Sequence, residues 1–277
     1  MRKTIKRSRY APHFLIVSYQ RATIYRIKYP TERPEFHSKT ALVTGGNRGL
    51  GLEVCRLLAK NGVTVVLGSR NRADGEEAAH RLWTEDRVKV FPCRLDVRRP
   101  VSITAATNFA IRRFGHIDIL INNAGVFLDA SPTDEGIGPN SIFAAKTETL
   151  LRTFETNTLG ALRVCQAVVP KMRERGYGRV VNVSSGDGRL ADMAGGRPAY
   201  RISKAALNAV TRIFAGELRG TNVLINSVCP GWMRTRMGGP NARRSPAEGA
   251  DTVVWLALSP DNGPQGCFFR DRQLTPW

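Results

Sequence analysis

Short apolar runs recur along the chain and alternate with longer stretches in which apolar residues return at helical intervals. Seven runs, near Leu42, Val65, Val90, Leu120, Val181, Leu224 and Phe268, read as strands buried on both faces. In the stretch after the first, Leu52, Cys55, Leu58 and Ala59 fall on one side of a predicted helix over Leu52–Asn61, and a second helix is predicted over Ala199–Ala215. Strand and helix in alternation predict an α/β class, with a doubly wound, mostly parallel, seven-stranded sheet covered by helices on both faces. Asp129–Asn140, rich in Asp, Gly and Pro, and Gly238–Pro246 interrupt the pattern and read as loops.

The first predicted strand, Thr40-Ala-Leu-Val-Thr44, runs directly into Gly45-Gly46-Asn47-Arg48-Gly49-Leu50-Gly51 and then into the first helix. Glycines in such a turn let backbone N–H groups approach a pyrophosphate, and the helix N-terminus turns its partial positive charge toward the same phosphates. The spacing is wider than G-x-G-x-x-G, so nucleotide binding rests on the order strand, turn, helix as much as on the glycines.

A second group of residues carries acid–base chemistry. Tyr200 and Lys204 stand one helical turn apart, so the ammonium can sit beside the phenol. A neighbouring positive charge is expected to lower the phenol pKa toward working pH, where proton transfer to a carbonyl oxygen is efficient. Ser185 follows the run Arg179–Ser184 and is expected at a strand tip with its hydroxyl free to bind the same oxygen. Taken alone, a Tyr four residues before a Lys is common in helices.

Together, Thr44–Gly51, Asp96, Asn122-Asn123-Ala124-Gly125, Asn157, Ser185, Tyr200-x-x-x-Lys204 and Pro230-Gly231 resemble the short-chain dehydrogenase/reductase family from about Lys39 to Trp277. Pro230-Gly-Trp-Met-Arg-Thr235, Met237-Gly-Gly239 and the tail Gly266–Arg272 resemble its carbonyl-reductase branch. The resemblance implies a Rossmann fold and an NADPH-dependent oxidoreductase that passes a hydride to an aldehyde or ketone, or the reverse. It implies that Tyr200 protonates the carbonyl oxygen, that Ser185 hydrogen-bonds it, and that Lys204 lowers the Tyr200 pKa and holds the nicotinamide ribose. Asn157 would complete a tetrad by holding a water that links the lysine to solvent, and Ser184 would bond backbone at the strand end. Cofactor contacts are implied for Gly45, Asn47, Arg48, Gly49, Leu50 and Gly51 in the turn. They are implied also for Asp96 and Val97 at the adenine, for Asn123, Ala124 and Gly125 beside the adenosine, and for Pro230, Gly231, Met233 and Thr235 over the nicotinamide. A strand-end Asp that caps the next turn is an alternative reading of Asp96.

Charge narrows the cofactor. An NAD enzyme places a carboxylate after the second strand, on the ribose 2′-hydroxyl, whereas an arginine there accommodates a 2′-phosphate. This chain has Gly68-Ser69-Arg70 at that place, with Arg48 as a second cation, which points to NADP(H).

Composition adds two alternatives. The formal net charge is +19 over 277 residues, which raises the possibility of a protein for anionic polymers. The arginines are scattered without an aromatic-interleaved stripe or recognition module, so no specific nucleic-acid partner is expected. A nucleotide-binding relative with a regulatory or structural task is the other alternative, and the full set Asn157, Ser185, Tyr200 and Lys204 argues against it. Five dispersed cysteines suit free thiols in a reducing cytoplasm, and four histidines without ligand spacing give no reason to expect a metal.

Residues 1–36 lie outside the resemblance and 37–277 form the expected catalytic domain. Phe14-Leu-Ile-Val17 is too short for a membrane span or signal core, and no membrane partner is expected. Three readings of this basic, acid-poor segment stay open: an organelle transit peptide, a disordered tail, or translated sequence upstream of the true start. Only fourteen residues separate Ser185 from Tyr200, too few for the insertion that blocks the helix-pairing surface in some monomeric relatives. With Ala205, Ala206, Ala209, Val210 and Ile213 beyond it, the expectation is a homodimer or homotetramer with two-fold symmetry.

Deleting residues 1–36 is expected to leave melting temperature and turnover unchanged within error, because the segment contributes no motif and little apolar surface. A truncated protein that fails to fold or to bind nucleotide would place the extension inside the domain.

Overall fold

The computed structural model describes residues 39–129 and 140–277. Eight strands form one sheet: β1 (Thr40–Thr44), β2 (Thr64–Ser69), β3 (Val90–Arg94), β4 (Ile119–Asn122), β5 (Gly178–Val183), β6 (Val223–Val228), β7 (Phe268–Arg270) and β8 (Gln273–Leu274). Their order is β3-β2-β1-β4-β5-β6-β7-β8, parallel throughout except for the last pair.

Seven α-helices are described: α1 (Gly49–Lys60), α2 (Arg72–Asp86), α3 (Pro100–Phe114), α4 (Thr147–Phe154), α5 (Gly160–Arg175), α6 (Pro198–Glu217) and α7 (Pro246–Ala257). Because side chains alternate along a strand, each strand feeds two cores. Ala41, Val43, Val65, Leu67, Ile119 and Ile121 pack with α1, α2 and α7 on one face. Leu42, Val66, Leu120, Val180 and Ile225 pack with α3, α5 and the end of α6 on the other.

The seven predicted strands are all present, and the expected count is corrected to eight. Asp271 and Arg272 both take positive φ, 53° and 58°, which reverses the chain in two residues and lays β8 antiparallel on β7. Neither residue is the Gly or Asn that signals such a turn, so periodicity alone gives no hint of it. Helix α1 begins at Gly49, three residues before the predicted start, because the end of the glycine turn is itself the first helical turn.

The chain runs outward through β2 and β3, then returns to add β4 on the other side of β1. That reversal opens a crevice beyond the carboxyl ends of β1 and β4, the usual ligand position in such sheets. On α6, Ala199, Ser203, Lys204, Leu207, Asn208 and Thr211 are buried, while Ala209 is exposed and Ile213 is 61% exposed. The loop predicted over Asp129–Asn140 lies outside the described residues except at its two ends, and so does the extension 1–36. Gly238–Pro246 is a loop up to Ser245, where a capping box starts α7. Among the described residues no helix is long and apolar enough to cross a membrane, and no three His, Cys, Asp or Glu residues are grouped as a metal site.

Candidate active site

The glycine turn is tied to the loop after β4. Asn123 donates from Nδ2 to the carbonyls of Thr44 and Gly45 at 2.9 and 3.0 Å, and Thr44 Oγ1 accepts from the N–H groups of Asn123 and Ala124. Gly45 has φ 64°, and a Cβ on Gly51 would stand 2.3 Å from the Gly45 carbonyl and 2.4 Å from Asn123 Nδ2. Only glycines allow this turn to close so tightly.

Around that crevice stand the predicted cofactor residues. Arg48 is the exposed N-cap of α1, and Arg70 is exposed just beyond the buried Ser69 at the end of β2. Asp96 caps its own turn: Oδ1 accepts from the Arg98 N–H at 3.0 Å, and the Arg98 side chain grips the same carboxylate. Burial pushes that carboxyl up, yet the Arg98 hydrogen bonds and the charge of Arg70 hold it below the usual range. Val97 is buried against Gly160. On the opposite side Pro230 is buried, and the Thr235 methyl lies against the glycine turn, 3.2 Å from where a Gly49 Cβ would be. The Met233 carbonyl accepts from the Thr235 N–H at 2.8 Å, which folds the segment over the turn.

Tyr200 and Lys204 lie in the first two turns of α6, and Ser185 follows β5. The Ser185 hydroxyl stands beside the Tyr200 phenol and favours its charged form. Ser185 Oγ also accepts from the Asp187 N–H at 3.1 Å. Ser184 donates to the Lys204 carbonyl at 3.4 Å, the backbone bond expected of it. Asp187 in turn pairs with Arg197 and Arg201, each at 3.1 Å, which clamps the serine turn to the start of α6.

Lys204 is 4% exposed, its Nζ 5.6 Å from the Tyr200 ring centre and donating to the Val183 carbonyl at 2.7 Å. Burial lowers its pKa to about 8. The expected lowering of the Tyr200 pKa is corrected: burial pushes the phenol up, and the Ser185 hydroxyl only partly offsets it. Loss of hydration outweighs neighbouring charge when the group sits half-buried under Phe127, whose ring meets it edge-on at 5.2 Å.

Asn157 occupies a single π-helical turn, Glu155–Leu159, between α4 and α5, a distortion that recurs at functional sites. Its amide is satisfied by protein: Oδ1 accepts from the Val126 N–H, and Nδ2 donates to the Val126 carbonyl and to Ser203 Oγ. A Cβ on Gly125 would stand 3.3 Å from Asn157 Oδ1 and 3.7 Å from Lys204 Nζ, so these groups meet at one point. The four predicted catalytic residues are thus gathered beside the glycine turn.

Sequence reasoning missed Asp129, Phe127, Asp187, Ser203 and Cys229 as parts of this site. Cys229 Sγ accepts from the Gly186 N–H at 3.1 Å, and its place beside Pro230-Gly231 was the available signal. Ser203 and Asp187 neighbour Lys204 and Ser185 in sequence, but Asp129 reaches the site from 70 residues before Ala199 without any local mark.

A family profile described as short chain dehydrogenase matches residues 39–245. Carbonyl reductase (NADPH) 1 of Mus musculus is 32% identical over 283 residues, covering 86% of this chain and 98% of that protein. (+)-Neomenthol dehydrogenase of Capsicum annuum is 32% identical over 309 residues, covering 86% and 97%. The crystal structure of NADPH-bound carbonyl reductase from chicken fatty liver has a TM-score of 0.74 at 25% identity, covering 87% of this chain and 99% of that one.

Gly51→Ala is expected to weaken dinucleotide binding at least tenfold, because the new methyl meets the Gly45 carbonyl and the Asn123 amide, and overpacking costs about 1–3 kcal/mol. Fluorescence titration checks it, and an unchanged dissociation constant would remove the turn from the binding site.

Proposed function

The chain belongs to the short-chain dehydrogenase/reductase family, in its carbonyl-reductase-like branch, and from that premise we propose that it reduces an aldehyde or ketone with NADPH. The observation that carries this reading is the convergence of Ser185, Tyr200, Lys204 and Asn157 beside a glycine turn too tight for any other residue at position 51.

Bound NADPH would supply the hydride. Gly45–Gly51 would offer backbone N–H groups and the N-terminus of α1 to its pyrophosphate. Arg48 and Arg70, exposed at the start of α1 and just beyond β2, where Gly68-Ser69-Arg70 carries no carboxylate, fit a 2′-phosphate by charge and by the planar guanidinium fork. Ser69, buried at the end of β2, fixes the start of that pocket. Pro230, Gly231, Met233 and Thr235 close over the nicotinamide side, and Asn123–Gly125 line the opposite wall. The mouse carbonyl reductase is named for NADPH and the chicken one is NADPH-bound, which supports the same cofactor.

In the reaction, Tyr200 donates its phenolic proton to the carbonyl oxygen. A phenol raised by burial is fully protonated at neutral pH and so is ready to donate. Ser185 bonds the same oxygen and keeps it in line with the phenol. The phenolate left behind needs a nearby positive charge, and Lys204 carries one below about pH 8. Asn157 holds the loop at Val126 against α6 through Ser203, which keeps Lys204 and Tyr200 in register.

Loss of NADPH absorbance against a panel of aldehydes, ketones and quinones tests the activity, with Tyr200→Phe as the control that keeps the ring and removes the proton. Turnover in that variant is expected to fall about 10²-fold or more while NADPH still binds. For the parent enzyme the Lys204 charge is present below about pH 8 and lost above it, so the reduction rate should be level in the neutral range and decline as pH rises past 8. Near-normal turnover of Tyr200→Phe would overturn the mechanism, and a rate still level at pH 10 would remove the Lys204 charge from it.

Arg70→Asp should weaken NADPH and shift the ratio of kcat/KM toward NADH through lost phosphate contacts and like-charge repulsion. An unchanged ratio would place the phosphate elsewhere.

A further inference from the structure

Helix α6 starts without a capping side chain of its own. Its N-cap residue is Arg197, held in the left-handed region at φ 54° and making no side-chain cap bond. The first amides of a helix have no acceptor within the helix and must find one elsewhere. Here the acceptor is Asp129, in the loop after β4: Oδ1 accepts from the Ala199 N–H at 3.0 Å and Oδ2 from the Tyr200 N–H at 2.9 Å.

This is more than an ordinary cap in three respects. The carboxylate is only 8% exposed, so its charge is held chiefly by these amides and by the positive end of the helix. It uses both oxygens, which fixes the direction of the first turn as well as its position. And one of its two partners is the backbone of Tyr200, so the bond acts on the residue from which the phenol extends.

Asp129 also ends a run that touches the glycine turn, Asn157, Lys204 and Tyr200. Asn123 holds the glycine turn, Gly125 faces Asn157 and Lys204, Val126 binds Asn157, and Phe127 packs on the Tyr200 ring. We propose that Asp129 is a positioning residue: its carboxylate sets the first turn of α6, and therefore the Tyr200 phenol, in register with the loop after β4. This rests on the reading of Tyr200 as proton donor. Misplacing a reacting group by about 1 Å costs on the order of 10²-fold in rate, so a cap at this point reaches the chemistry without touching substrate.

Asp129→Ala removes both acceptors, and Asp129→Asn keeps one oxygen while turning an NH₂ toward the other amide. Four quantities are measured below the melting transition: NADPH affinity, kcat per NADPH-binding site, carbonyl KM, and hydrogen exchange at the Ala199 and Tyr200 amides. The expected result is NADPH affinity within threefold of the parent, faster exchange at both amides, and kcat lowered about 10²-fold in the alanine variant and less in the asparagine variant. Carbonyl KM should move little. If the alanine variant does not fold, the asparagine variant carries the test, with a kcat loss of at least fivefold expected. A kcat within twofold of the parent in a folded variant, or a loss that vanishes once rates are taken per NADPH-binding site, would overturn the proposal and leave Asp129 a stability cap. Tyr200→Phe run alongside separates the two readings. If it stays active, the role of Tyr200 falls and this proposal with it; if it is inactive while the Asp129 variants turn over normally, only Asp129 is overturned.

Discussion

The side-chain amide of Asn123, donating to the carbonyls at the end of β1, joins the two strands on either side of the point where the sheet reverses its order. At that point a parallel sheet leaves strand-end carbonyls without a ladder partner, and a crevice opens between loops that run to opposite faces. By spending one asparagine on Thr44 and Gly45, and returning the Thr44 hydroxyl to the N–H groups of Asn123 and Ala124, the chain makes a rigid floor from two loops. The glycine turn can then close to within a distance no Cβ permits, and the loop continues from that floor to Val126, Phe127 and Asp129.

Burial is the second constraint, and it sets the electrostatics. Lys204 is buried and Tyr200 half-buried, and the lost hydration disfavours the charged form of each: the ammonium pKa falls to about 8 and the phenol rises. Neighbouring groups correct this only in part. Ser185 favours the phenolate, Asp187 opposes it, and Arg197 offsets Asp187 through an ion pair. The site therefore rests with a neutral phenol and with a lysine close to its own titration at neutral pH. In the proposed reaction, a phenol in this state is poised by what the substrate brings in, since a developing alkoxide is a far stronger base than water.

Much of the fold was legible because buried parallel strands must be short apolar runs and the helices between them must be amphipathic. The seven runs marked seven of the eight strands, and the order strand, glycine turn, helix marked the head of the crevice. What escaped has identifiable causes. Strand β8 depends on two non-glycine residues at positive φ, which tertiary packing allows and propensity disfavours. The rise of the Tyr200 pKa depends on how deeply the ring is covered, and a helical spacing of four says only that a cation is near.

Taken alone, the chain's order of residues determined the α/β class, the glycine turn and the pairing of Tyr200 with Lys204 on one helical face, because each is a local pattern enforced by backbone geometry and hydrophobic periodicity. Tertiary structure alone decided which distant groups complete that pattern. Asp129 meets the amides of Ala199 and Tyr200, Ser203 meets Asn157, and Arg179 threads from β5 to the carbonyl of Ser259. Such contacts join segments tens of residues apart through single polar atoms. No periodicity marks them, since their partners are set by where the packed sheet and helices leave a donor or acceptor without water.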